Sequence, residues 1–176
     1  LSLALLHLFG RALPQVFREH LLDPLGCSQD IEWVGYDQSW VDLPARDGRP
    51  AQRVQSVPGG SHWGGGVSIS AMDQARIGLM LMRHGRSDNG QQVISQRWIE
   101  AMQEPCEVAP FYGYLVWLNQ QGSLFKSAPK SSWFALGAGS SVTWVDQTLE
   151  LVVIMRWIDA AKTNDCIDMI MSALVG

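Results

Sequence analysis

The feature that most constrains this chain is a change in hydrophobic period near residue 105. Before that point apolar residues recur mainly at helical spacing, and after it the runs rich in aromatic and β-branched residues favour strands. The gap at residues 146–148 is short enough for a hairpin, so neighbouring strands should pair antiparallel. The predicted strands cover residues 111–118, 132–136, 141–145 and 149–158.

A final amphipathic helix is predicted over residues 166–174. Its apolar residues fall at i, i+3, i+4 and i+7, the spacing of one buried helix face; they are Ile167, Ile170, Met171 and Leu174. Earlier helices are predicted over residues 1–12, ending near Gly10, over 15–22 after Pro14, over 70–85 with Met72 among the buried residues, and over 96–102. Short strands at 31–36 and 53–57 should flank a turn at Asp47-Gly48.

This order of elements indicates an α+β fold, in which an antiparallel sheet carries a C-terminal helix and follows a mostly helical region. With 176 residues, the chain is long enough for one domain and too short for two ordinary ones. We expect a single domain that is mainly helical over residues 1–105, with a glycine-rich loop at 59–66, and that forms the sheet and the final helix over 106–176.

Composition narrows the classes of partner. The net charge is −4 and no run of Lys or Arg occurs, so neither nucleic acid nor an anionic membrane is an expected partner. The apolar residues 1–9 have no basic leader and are too short to span a bilayer. They are typical of the interior of a longer protein, and a processed mature terminus is the alternative.

Three cysteines are present, and they are widely spaced and odd in number: Cys27, Cys106 and Cys166. The pattern predicts neither a disulfide framework nor a zinc site, and each cysteine is expected to be a small buried residue. No metal and no cofactor are expected.

Five segments, taken in chain order, resemble segments of serine hydrolases of the β-lactamase superfamily, which includes the penicillin-binding proteins. They are FREHLLDPLG at 17–26, GGVSISAMDQARIG at 65–78, GQQVISQRWIEAM at 90–102, YGYLVW at 112–117, and WVDQTLELVVIMR at 144–156. Within the superfamily, residues 61–64 and 156–158 are most similar to the 6-aminohexanoate-dimer hydrolases, which are amidases of short linear amides. The resemblance implies the C-terminal portion of a bacterial hydrolase, and leaves cytoplasm and periplasm both open.

The resemblance also implies two elements that this chain lacks. Such enzymes carry Ser-x-x-Lys at a helix start and Tyr-x-Asn on a loop; the serine attacks the acyl carbon, while the lysine and tyrosine manage its proton. The sole formal match, Ser123 to Lys126, falls in a predicted loop after a strand and is interpreted as coincidence. Both elements are expected upstream of Leu1, so the chain alone should be inactive.

A third element of these enzymes is an edge strand whose backbone helps to form the oxyanion hole. The matching residues here are Gly137, Ala138 and Gly139. A backbone N–H aimed at a developing oxyanion lowers the barrier by about 3 kcal/mol. A bulge or tight turn between strands is the alternative interpretation. Neither Ala135 nor Leu136 is the cation that β-lactamases place near a substrate carboxylate, which favours a small amide or ester over a β-lactam.

Three aromatic or imidazole side chains complete the candidate site. His62 and Trp63 lie in the glycine-rich loop, where they either line a cleft or fill a gap in packing, and Tyr112 either touches substrate or belongs to the core. A non-catalytic module with this fold, binding peptide or glycan through aromatic residues, is the alternative function. Apolar surface left bare on the sheet and on residues 1–9 predicts a dimer or a retained N-terminal fragment.

Overall fold

A computed structural model describes residues 1–57 and 66–175. The chain divides into two compact units, Leu1–Ser70 and Ala71–Gly176. The expected organisation as one domain, with its division at residue 105, stays a prediction. Over the described residues, no helix is both long and apolar enough to cross a membrane.

The first unit begins with two short helices, as predicted. Helix α1, Ser2–Phe9, ends at Gly10, whose φ of 59° lets its N–H reach the carbonyl of Leu6. Helix α2, Leu13–Phe17, carries Pro14 in its first turn, where the missing N–H costs nothing, and continues as a π-helical turn, Arg18–Leu22.

Two antiparallel pairs of strands follow in this unit. Strand β1, Glu32–Trp33, pairs with β4, Val67–Ser68, and β2, Trp40–Leu43, pairs with β3, Gln52–Gln55. The predicted turn is present, with positive φ at Asp47 and Gly48. The strand predicted at 31–36 is confined to β1, Glu32–Trp33, and the strand that enters the turn is β2 instead. The chain turns between them at Ser39, whose N–H and hydroxyl both donate to the carbonyl of Tyr36.

The core of the first unit covers only one side of α1. Leu6 is fully buried in a cluster with Leu13, Leu43, Val54 and Val57. Leu5 is half-buried against this cluster, whereas Leu3, Leu8 and Phe9 are exposed. Such exposure is what the expected association requires, and the dimer itself stays a prediction.

The second unit is built on a four-stranded antiparallel sheet. Its strands are β5, Trp117–Leu118, β6, Trp133–Gly137, β7, Ser141–Asp146, and β8, Leu151–Met155, and they lie in the order β5-β6-β7-β8. Helix α5, Thr163–Val175, buries Ile167 against one face of the sheet together with Phe134 and Trp144. The α+β class, with an antiparallel sheet and a C-terminal helix packed on it, is therefore confirmed.

Helix α3, Ala71–Met82, packs against β7 and β8. Met72, which was expected to be buried, is exposed, whereas Asp73, Gly78 and Met80 are buried. Gly78 explains the difference, since a Cβ there would lie 2.6 Å from the Val152 side chain. The helix therefore approaches the sheet along its glycine.

Helix α4, Gln96–Met102, begins as predicted at Ser95, whose hydroxyl accepts a hydrogen bond from the Trp98 N–H at 3.2 Å. The predicted strand at 111–118 is confined to Trp117–Leu118. Residues before it form turns instead, because Gly113 lies so close to the Met102 carbonyl that a Cβ would be 2.1 Å from it, and Leu115 has a φ of 61°. The aromatic residues of 111–118 led to the prediction of a strand. The contact of Gly113 with the Met102 backbone of α4 prevents a strand over most of this segment.

The three cysteines form no disulfide in the described part of the chain, and they differ in burial. Cys27 is buried and Cys166 is half-buried, but Cys106 is exposed, so the expectation of burial was wrong for that residue. The backbone of Cys106 holds a turn through its N–H to the Tyr112 carbonyl at 2.8 Å, and the side chain points outward.

Candidate functional site

Strand β6 has one buried half and one exposed half. Trp133 and Phe134 are buried and pair with β5, whereas Ala135, Leu136 and Gly137 are exposed and pair only with β7. The chain turns at Leu115 just before β5, so the pairing with β5 stops at Phe134. Among the described residues, the other edge of residues 135–137 therefore has no strand beside it, and its backbone groups are open to a ligand.

The turn after β6 requires glycine at its centre. Gly139 has a φ of 72°, and a Cβ at this position would lie 2.4 Å from the Trp157 ring. Trp157 itself has a φ of 58° and is 75% exposed, so its indole lies against the turn with most of its surface in solvent. Ser140 also has positive φ. Non-glycine residues rarely adopt this conformation, and they concentrate at functional sites.

Gly137 differs from Gly139 because nothing in the described chain demands a glycine there. Its φ is not positive, and the nearest atoms to an added Cβ, those of Ser141, would be at an ordinary 3.7 Å. A glycine inside a strand often marks a place where a ligand or another backbone approaches closely. At Gly137, the absence of a side chain leaves the exposed edge bare.

A cavity of about 410 Å³ adjoins this turn. Its walls include backbone and side chains of β6, of the turn and of the start of β7, together with Thr163 at the beginning of α5. Sequence reasoning missed Ser140, Ser141 and Thr163 as site residues. The two serines directly follow the Gly-Ala-Gly segment, which was a usable signal, but the sequence gives no sign that Thr163 belongs here.

The predicted site residues are only partly brought together. Gly137, Ala138 and Gly139 are contiguous at the end of β6, and all three are exposed. Tyr112 is half-buried beside β5, with its ring 5.0 Å from that of Trp117 in an edge-to-face contact, and it does not line the cavity. His62 and Trp63 lie outside the described residues.

The opposite end of the β6–β7 pair is closed by a buried carboxylate. Asp146 is fully buried and accepts hydrogen bonds from the hydroxyls of Ser131 and Ser132 at 2.8 and 2.7 Å. It also accepts from the backbone N–H groups of Thr148 and Leu149, both at 2.9 Å. These bonds fix the β7–β8 turn and the start of β6, so the exposed end of β6 extends from a rigid base.

The formal Ser-x-x-Lys match lies in a loop, as predicted. Asn119 is fully buried and organises this loop, because its Nδ2 donates to three carbonyls while its Oδ1 accepts from the N–H groups of Leu124 and Phe125. Ser123 and Lys126 are both exposed and neither begins a helix. In the part of the chain that the structure describes, no cluster of three His, Cys, Asp or Glu side chains is arranged to hold a metal ion.

Comparison with known proteins identifies the fold of this chain. No protein-family model matches the chain, and no curated protein matches it. A solved structure from Bacteroides dorei DSM 17855, described as a "putative beta-lactamase", is similar over 95% of this chain, with 15% sequence identity and a TM-score of 0.55. The chain has a β-lactamase-like fold. It spans about half, 51%, of the length of that protein.

The open edge of β6 offers backbone hydrogen-bonding groups to a ligand. In an antiparallel sheet, backbone groups point alternately to the two sides of a strand. At least one residue of 135–137 therefore directs its N–H and C=O away from β7, toward the edge that no described strand covers. This edge can hold the carbonyl group or the extended main chain of a ligand.

Proposed function

We propose that this chain forms the substrate-binding wall of a serine hydrolase that cleaves amide or ester bonds through an acyl-enzyme. The observation that carries the proposal is the exposed half of β6, which ends in a glycine that its own neighbours do not require, within a β-lactamase-like fold. The nucleophile is supplied by a Ser-x-x-Lys element outside these 176 residues.

The chemistry assigns this wall an electrostatic role. The serine oxygen forms a bond to the acyl carbon, and the amine or alcohol departs with the serine proton; water then releases the acid and restores the serine. Both steps place negative charge on the former carbonyl oxygen. A backbone N–H of the open edge donates to that oxygen, and a fixed donor of this kind contributes about 3 kcal/mol.

The substrate is a neutral amide or ester. Neither Ala135 nor Leu136 provides a cation for a substrate carboxylate. Residues 156–158 are similar to the 6-aminohexanoate-dimer hydrolases, and this similarity favours an amide over an ester. Trp157 of that segment lies against the turn that bounds the edge.

A non-catalytic binding module is the second candidate, and one observation favours it. Trp98 and Tyr114 stack with centroids 5.5 Å apart, and both are about half exposed. Exposed aromatic faces are suited to peptide or glycan ligands. This function needs no nucleophile.

Fluorophosphonate labelling of the full-length protein, with the labelled residue located by mass spectrometry, separates the two candidates. The hydrolase predicts a single labelled serine outside residues 1–176. Absence of labelling, or labelling of Ser123, would contradict the hydrolase; absence together with glycan or peptide binding that a Trp98→Ala substitution removes would support the binding module.

A further inference from the structure

The cavity beside the turn has mainly apolar walls and a few hydroxyl groups. Apolar side chains form most of the lining, and they come from the sheet, the loop before β6 and the segment before α5: Phe125, Leu136, Val142 and Ala160. No charged residue lines it. A volume of about 410 Å³ lies within the range of pockets that bind small molecules.

Three hydroxyl groups are the polar part of this lining, those of Ser140, Ser141 and Thr163. None of the three side chains makes a hydrogen bond with any described residue. Thr163 as a whole is only 7% exposed, and it still lines the cavity. Its hydroxyl is therefore available to a carbonyl or amide group of a ligand in the cavity.

The absence of charge in the lining decides which ligands fit. A carboxylate or an ammonium group would lose part of its hydration on entry and would meet no oppositely charged side chain among the described lining residues. A neutral molecule with an apolar body and one hydrogen-bonding end matches both the apolar walls and the free hydroxyls.

We propose that this cavity binds the apolar acyl part of a neutral amide or ester. The inference rests on the proposed function, because the cavity shares Leu136, Gly137 and Gly139 with the strand end that is assigned to the substrate carbonyl. The acyl chain lies against Phe125 and Val142, and the Thr163 hydroxyl bonds to a polar atom of the ligand.

Binding of three matched probes to the full-length protein tests the proposal. Pentanamide, pentanoate and pentylammonium have similar lengths and differ in charge, and the methyl NMR signals of Leu136 and Val142 report on the cavity. We expect pentanamide to shift these signals with saturation, and the two charged probes to bind at least about tenfold more weakly. Equal affinities for the three probes, or no shift of these methyl signals, would overturn the proposal.

Two pairs of variants locate the probe. Ala160 lines the cavity and Ala161 does not, although both are exposed in the same short helical turn, Ala160–Lys162. Ala160→Leu should abolish pentanamide binding, and Ala161→Leu should leave it within about twofold. Thr163→Val should weaken binding about fivefold, the value of one hydrogen bond, while Thr163→Ser should retain it. An Ala160→Leu protein that binds as well as the Ala161→Leu protein would refute the site.

The pocket and the hydrolase fail separately in these experiments. If pentanamide binds as predicted and fluorophosphonate labels no serine in the full-length protein, the cavity stands as a neutral-ligand site and the hydrolase falls. If labelling succeeds and the cavity methyl signals never shift, the hydrolase stands and the acyl pocket is wrong.

Discussion

At one end of the β6–β7 pair Asp146 is buried and accepts four hydrogen bonds, whereas at the other end Gly137 and Gly139 are exposed beside a cavity. The first end satisfies its polar groups internally. The second leaves the Thr163 hydroxyl without a partner among the described residues and holds Ser140 and Trp157 at positive φ.

The comparison indicates that the Asp146 end of the sheet is held rigid by internal hydrogen bonds, and that the Gly137–Gly139 end is available for binding a ligand. Hydrogen bonds to a buried acceptor stabilise the fold, since breaking them leaves several groups unpaired. Open backbone and uncommon φ values lower stability and persist where function requires them. The exposed end of β6 is held in position by the buried one.

The largest expected effect is at the buried end. Asp146→Ala leaves the Ser132 hydroxyl and two N–H groups without their acceptor, so we expect the free energy of unfolding to fall by about 3 kcal/mol or more. Urea denaturation measures it. Asp159→Ala is the matched control, because Asp159 is exposed and accepts only from the Ala161 N–H; its cost should be about 1 kcal/mol. Equal losses for the two variants would show that Asp146 does not hold this end together.

The second effect separates the two glycines at the exposed end. Gly139→Ala forces a Cβ into a positive-φ position and into the Trp157 ring, so we expect a loss of about 2 kcal/mol. Gly137→Ala should change stability by less than about 0.5 kcal/mol, since a Cβ fits there. Part of the Gly139→Ala loss should disappear in a Trp157→Ala background, and a double-mutant cycle measures that part. If the stability losses of Gly139→Ala and Trp157→Ala are strictly additive, contact with the Trp157 ring does not cause the Gly139→Ala loss.

The smallest effect is expected outside the hairpin, at an ion pair in the first unit. A hydrogen bond from Arg11 to Glu19, at 2.6 Å, and the charge of Arg11 hold the pKa of Glu19 below its ordinary value near 4.5. A carboxylate with a lowered pKa stabilises the folded state above its unfolded pKa, and this contribution is lost as pH falls through the lowered value. The stability difference between wild type and Glu19→Gln should therefore be small at neutral pH, be lost in acid once the carboxylate is protonated in the folded state, and shrink in salt. A difference that does not depend on pH would point to packing instead.

Local patterns were sufficient to predict the framework of the second unit. The aromatic and β-branched content of β7 and β8, the short turn between them and the apolar stripe that includes Ile167 each depend on a few neighbouring residues. The Ser95 cap and the turn at Asp47-Gly48 are similarly local, and both are present.

Features that depend on residues distant in the chain could not be predicted from the sequence. The division of β6 into a paired and an open half follows from where β5 begins, which Leu115 and the contact of Gly113 with Met102 determine. The free hydroxyl of Thr163 is a property of the folded surroundings. The resemblance led to Gly137–Gly139 as the candidate site, but the contrast between these two glycines required the neighbouring atoms of Ser141 and Trp157.

The most direct test of the account is the rate of fluorophosphonate acylation in the full-length protein carrying Gly137→Val. Valine suits a strand, and its Cβ would lie an ordinary 3.7 Å from its nearest neighbours in Ser141, but it projects a side chain from the strand end assigned to the carbonyl. The account predicts an acylation rate about a hundredfold below wild type, with unchanged thermal stability. Thr148→Val, at the opposite end of the hairpin, should acylate at the wild-type rate. A Gly137→Val protein that acylates as fast as the Thr148→Val control would contradict the assignment of this strand as the substrate wall.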